Sequence, residues 1–162
     1  MLTNKITEHV VLSKGTIEDI LKVHTSNEID VSLSSIITTG NMDEYLCASR
    51  FFRDVINYNH KKYSGKHIHN DYYSFKFFNL IESNLFSETP YKRNDAIYTL
   101  GKVGAIKSIP KITTALNQFL HLDAEYSNAL KFELNWLNEL LSSISKCNTS
   151  SFKKYLVRRS IL

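Results

Sequence analysis

Residues 89–120 read TPYKRNDAIYTLGKVGAIKSIPKITTALNQFL, and this stretch decides the fold. Thr89 followed by Pro90 is a helix start, because proline at the first helical position gives up an N–H that has no partner there anyway. Ala96, Ile97, Leu100 and Val103 then recur at helical spacing. Gly101 offers a close-packing site and Gly104 a left-handed stop. After the connector Ala105, Ile106 and Lys107, Ser108 is expected to cap a second helix whose Ile109, Ile112, Leu116 and Phe119 form one apolar stripe. Two amphipathic helices joined by so short a turn must lie antiparallel, with Leu100 facing Leu116 across the hairpin.

Within it, Arg93, Ala96, Leu100, Gly101, Val103, Gly104, Ile109, Pro110, Ile112 and Leu116 are spaced so that Arg93 to Leu116 resembles one HEAT-like repeat of the type also found in phycobilisome lyases. The family often has Asp and Pro after the second glycine, where this chain has Ala105 and Ile106. The resemblance implies an all-α fold, a short right-handed α-solenoid of HEAT-like hairpins. A single hairpin cannot bury its own apolar face, so neighbours must stack on both sides.

The flanks supply them. Downstream, Asp123 is placed to cap a long helix with two apolar stripes. Tyr126, Leu130, Leu134, Leu137, Leu141 and Ile144 make one, and Phe132, Trp136 and Leu140 the other, so this helix is expected to be covered from two directions. Trp136 reads as a core residue. Ser150 opens a final helix carrying Phe152, Leu156 and Ile161. Upstream, Asn41 and Glu44 form a capping box for a helix through about Tyr58, with Tyr45, Ala48, Phe52, Val55 and Ile56 inward. A basic connector from His60 to Asn70 leads to a partner helix using Phe75, Phe78, Ile81, Leu85 and Phe86. Residues 3–13, 17–25 and 30–39 read as three short helices broken at Gly15, Asn27 and Gly40. The organisation is thus one domain over 1–162, with an irregular helical cap at 1–40 and stacked helix pairs at 41–162.

A chain of 162 residues with 43% hydrophobic and 22% charged residues has enough apolar surface for one core, and 5 glycines and 2 prolines favour helices. Cys47 and Cys147 have no partner motif, so neither a disulfide framework nor a cysteine zinc site is expected, which fits a reducing cytoplasm. No window approaches a membrane span or a signal segment, so neither is expected. The net charge of +4 is regional. Residues 1–49 carry three lysines against seven acids. Residues 50–76 carry six cations against two acids, and residues 92–111 five against one. Lys153, Lys154, Arg158 and Arg159 close the chain without an acid. Such asymmetry suits an anionic partner.

Catalytic signatures are scarce. His60, His67, His69 and Asp71 are the one cluster of ligand-type residues, but Lys61, Lys62 and Lys66 surround it with charge that opposes a cation, so no metal and no cofactor is expected. HExxH, a Gly-rich phosphate loop and a Gly-x-Ser-x-Gly elbow are all missing, as is the His-Glu dipeptide that iron-dependent hydroxylases on HEAT-like repeats require. A HEAT-like glycosylase or lyase is the nearest enzymatic alternative, and the chain is short for a glycosylase.

The leading expectation is a non-catalytic protein-binding module, of which a toxin-immunity protein is one form. Its partner face would be the inner helices: Lys76, Asn79 and Ser83 on one, Lys111, Thr114, Gln118 and His121 on the next, and Lys154 with Arg158 on the last. The alternative is a nucleic-acid-binding module using Lys61, Lys62, Lys66, His67, Lys153 and Lys154, where basic groups alternate with aromatics.

Overall fold

A side chain that takes up the free N–H groups of a first turn favours a helix start there, and the structure, a computed structural model, shows which candidates do so. It describes residues 2, 4, 6, 17–62 and 75–146, with the side chains of 59–62 and 143–146 outside the description. The final helix expected from Ser150 lies outside the described residues. Of the expected helix over 3–13 only Asn4 and Ile6 are described, both helical, with Ile6 buried.

The described residues form seven α-helices and no strand. They are α1 (Ile17–Val23), α2 (Ser26–Thr39), α3 (Met42–Lys62), α4 (Lys76–Ser83), α5 (Pro90–Lys102), α6 (Ile109–Phe119) and α7 (Ala124–Lys146). Short 3₁₀ turns at Asn84–Phe86 and Ile106–Ser108 follow α4 and precede α6.

Two boundaries differ from expectation. Helix α2 starts at Ser26 rather than residue 30, because Thr25 and Glu28 cap it reciprocally: Glu28 N–H donates to Thr25 Oγ1 at 3.2 Å and Thr25 N–H to Glu28 Oε2 at 2.7 Å. That box outweighs the turn tendency of Asn27. Helix α3 continues past Tyr58 to Lys62, so His60, Lys61 and Lys62 are helical rather than part of a connector. Its start is the expected one, with Glu44 N–H donating to Asn41 Oδ1 at 3.0 Å and Asn41 N–H to Glu44 Oε2 at 2.8 Å.

Helix α5 ends in a Schellman turn. Gly104 has φ 66°, Ala105 N–H donates to Leu100 O at 2.9 Å and Gly104 N–H to Gly101 O at 3.1 Å. Leu100 and Ala105, the apolar pair this motif brings together, are both fully buried. Ser108 does not cap α6 with its side chain. Its hydroxyl donates instead to Glu82 Oε1 at 2.8 Å, an acceptor 26 residues earlier. At the far end of the hairpin the Arg93 guanidinium lies 4.9 Å from the Phe119 ring centre. The start of α5 therefore meets the end of α6, and the two helices run antiparallel.

Helix α1 packs on α3, α3 on α5, and α5 on α7, while α2 packs on α3 and α4, and α6 on α7. Helices α3 and α5 run parallel. Tyr45 meets Tyr91 edge-to-face at 5.5 Å, Ser49 meets Asp95, and Arg53 meets Thr99, so the two chains advance in step. The core between α3 and α4 is aromatic. Phe52 packs on Phe77 at 4.9 Å and on Phe78 at 6.5 Å, and Tyr45, Phe51, Ile81, Leu85 and Tyr126 are also fully buried.

Helix α7 departs most from its expected role. Tyr126, Leu130 and Leu137 are buried, but the second stripe is not covered: Phe132 is 71% and Trp136 46% exposed. Trp136 is therefore a surface residue whose indole N–H donates to Gly101 O at 3.3 Å. No helix of the described residues is long and apolar enough to cross a membrane.

Candidate functional site

The sequence-derived partner face is solvent-exposed wherever it is described. Lys76, Asn79 and Ser83 on α4 are exposed, as are Lys111, Thr114 and Gln118 on α6 and His121 just after it. Their side chains are partly occupied. Ser83 Oγ donates to Leu80 O, and Thr114 Oγ1 to Pro110 O. Lys111 Nζ pairs with the carboxylate of Glu82, a residue only 7% exposed that also accepts from Ser108. Lys111 is thus half of a structural ion pair that ties α6 to α4. Lys154 and Arg158 lie outside the described residues, as do Lys66, His67, Lys153, His69 and Asp71, and nothing is described of the Lys61 and Lys62 side chains. Among the described residues no group of three His, Cys, Asp or Glu side chains is placed to hold a metal. Cys47 is a free, partly buried thiol whose pKa burial pushes up.

A cleft of about 470 Å³ lies between α3 and α5. Arg50, Arg53, Asp54 and Asn57 line it from α3, and Tyr98 and Lys102 from α5. Spacings of three and four place the α3 residues along one helix face, and Tyr98 and Lys102 are likewise one turn apart. The parallel register of α3 and α5 then sets the two faces opposite each other.

One of its cations is held rigidly. Arg53 Nη1 donates to Thr99 Oγ1 at 2.6 Å, Asp95 Oδ1 at 3.0 Å and Ser49 Oγ at 3.1 Å. Ser49 Oγ in turn donates to Asp95 Oδ2 at 2.5 Å. Ser49 and Thr99 are fully buried and Asp95 nearly so, which means this polar knot lies under the cleft floor rather than in it. The guanidinium sits 4.9 Å from the Tyr98 ring centre, and Lys102 Nζ 5.4 Å from the same ring.

The cleft borders the uncovered stripe of α7. Trp136 reaches the Gly101 carbonyl beside Lys102, and the Glu133 carboxylate is packed where a side chain on Gly101 would have to go. Burial raises the Glu133 pKa, and the charge of Lys102 partly offsets this. Trp136 of the stripe therefore meets α5 at Gly101, next to the cleft residue Lys102, with Phe132 one turn before it on α7. The charge count had marked both walls of the cleft, residues 50–76 and 92–111, but the helix register that joins them is a tertiary fact.

No family model, no curated protein and no solved structure matches this chain.

Proposed function

We propose that this chain is a HEAT-like helical protein, non-catalytic, that binds an acidic protein partner across the face formed by α3, α5 and α7. The observation that carries the reading is the set Arg50, Tyr98, Lys102, Phe132 and Trp136, all exposed, with the largely buried Arg53 beside the first three. Arginine, tyrosine and tryptophan are the residue types that concentrate binding energy at protein interfaces, and exposed aromatics beside cations suit an acidic partner with an apolar centre. Antiparallel α5 and α6 and the parallel step from α3 to α5 are the relations that stacked helix pairs have, which supports the solenoid reading. In the immunity-protein form of this reading the partner is a toxin, whose docking face must then be acidic.

Capture on the immobilised protein tests it, run beside a Phe132→Ser, Trp136→Ser variant of unchanged helix content. An acidic protein retained by the parent and lost by the variant is the expected result. Equal retention by both overturns the proposal, as does retention only of DNA or RNA that moderate salt removes.

A further inference from the structure

We propose that the cleft between α3 and α5 is an anion site for a small phosphomonoester; it shares its cations with the protein-docking face, whose apolar part, Phe132 and Trp136, lies outside the cleft lining. Its lining sets Arg50, Arg53 and Lys102 against Asp54, with the Asn57 amide as a further donor. Asp95 stands behind Arg53, only 8% exposed, and lowers the local excess of positive charge from two to one without closing the cleft.

Arg53 is preorganised. Three acceptors hold one of its nitrogens, and the Tyr98 ring supports the guanidinium plane, so engaging an oxyanion costs it little further freedom. Arg50 and Lys102 lie outside that knot and remain adjustable cations. A phosphate group carries about −1.5 to −2 charges at neutral pH and three strong acceptor oxygens, which suits a fork of several cations better than a carboxylate does. A volume of about 470 Å³ lies in the range of small-ligand sites and leaves room for an organic moiety beside the half-exposed Tyr98. Asp54 and Asn57 add an acceptor and an amide that hydroxyl groups of such a moiety can engage.

The test is a ¹H–¹⁵N correlation titration of the full-length protein at constant ionic strength. The probes are inorganic phosphate, ribose 5-phosphate, adenosine 5′-monophosphate, acetate and a single-stranded DNA oligonucleotide. Saturable shifts centred on residues 50–57 and 98–102 are expected for the phosphate compounds, with the monoesters binding more tightly than phosphate itself. A preference for the adenosine compound over the ribose compound identifies a nucleotide, and equal affinity a sugar phosphate. Arg50→Gln with Lys102→Gln should weaken these by about tenfold or more. Both side chains lie outside the Arg53 knot, so folding is expected to survive. Phe132→Ser with Trp136→Ser should leave phosphate affinity unchanged, so failure of the protein-partner reading and failure of this one are separable. Non-saturable shifts, shifts centred elsewhere, acetate binding as tightly as phosphate, an unaffected glutamine variant, or DNA binding more tightly than every monoester would each overturn it.

Discussion

Glu133 is a carboxylate that burial holds in an unfavourable setting, and its pKa is raised for that reason, with Lys102 acting in the opposite direction. A raised carboxyl pKa means that the folded state binds the proton more tightly than the unfolded one. Stability is then unaffected below the ordinary glutamate range and falls as pH rises through the raised value. Glu133→Gln is expected to match the parent in acid and to melt at a higher temperature at neutral pH, which a series of thermal melts across pH checks. Leu100 presents the opposite case, a fully buried apolar side chain at the start of the Schellman turn. Leu100→Ala should cost about 2–5 kcal/mol in denaturant unfolding, the usual cost of such a cavity.

Helix α4 has only eight residues, and no side chain at Phe75 caps it. Its first-turn N–H groups are met from another helix: Asp30 on α2 accepts from Lys76 N at 2.9 Å and from Phe77 N at 2.8 Å. A carboxylate at that position also complements the helix dipole. Asp30→Ala is expected to destabilise by about 1–2 kcal/mol in denaturant unfolding, with amide exchange accelerated first in α4. The end of α5 depends on a different device, the left-handed backbone at Gly104. Gly104→Ala keeps the space, since its added carbon meets only Leu140 at 3.4 Å, but must hold φ 66°, at a cost of about 1–2 kcal/mol. Equal unfolding midpoints for Gly104→Ala and the parent would show that the turn had found another geometry.

Across the whole molecule, two largely buried cation clusters fasten helices together. Arg93 donates to Ser87 O, Glu88 O and Asp123 Oδ2 and lies over the rings of Phe119 and Tyr126, so it joins the starts of α5 and α7 to the end of α6. The Ser49, Arg53, Asp95 and Thr99 knot does the same for α3 and α5. Removing one member of such a pair leaves a desolvated charge behind. Asp95→Ala is therefore expected to cost about 3 kcal/mol, the lower end for a buried pair because Arg53 borders an open cleft. Arg53 would also lose its fixed orientation, so the same variant should weaken phosphate binding through the positioning of a cation, measurable in the titration above.

The local devices were legible in the sequence because both partners lie within a few residues of each other. Asn41 with Glu44, Asp123 under Tyr126, Pro90 in the first turn and Gly104 after the last all sit where their spacing placed them. Helical periodicity likewise marked α3, α5, α6 and α7, since a face that repeats every three or four residues is a property of the chain itself. What tertiary structure alone decided are the relations between helices. Asp30 reaches Lys76 across 46 residues, Ser108 is drawn from its cap to Glu82, and Arg53 finds Asp95 42 residues away. The second stripe of α7 shows the limit most directly: its spacing is that of a buried face, yet Phe132 and Trp136 stand exposed. Apolar periodicity specifies that a face wants cover. Whether another helix arrives to cover it depends on the angle and register at which neighbours pack, and so does the meeting of two basic helix faces in one cleft.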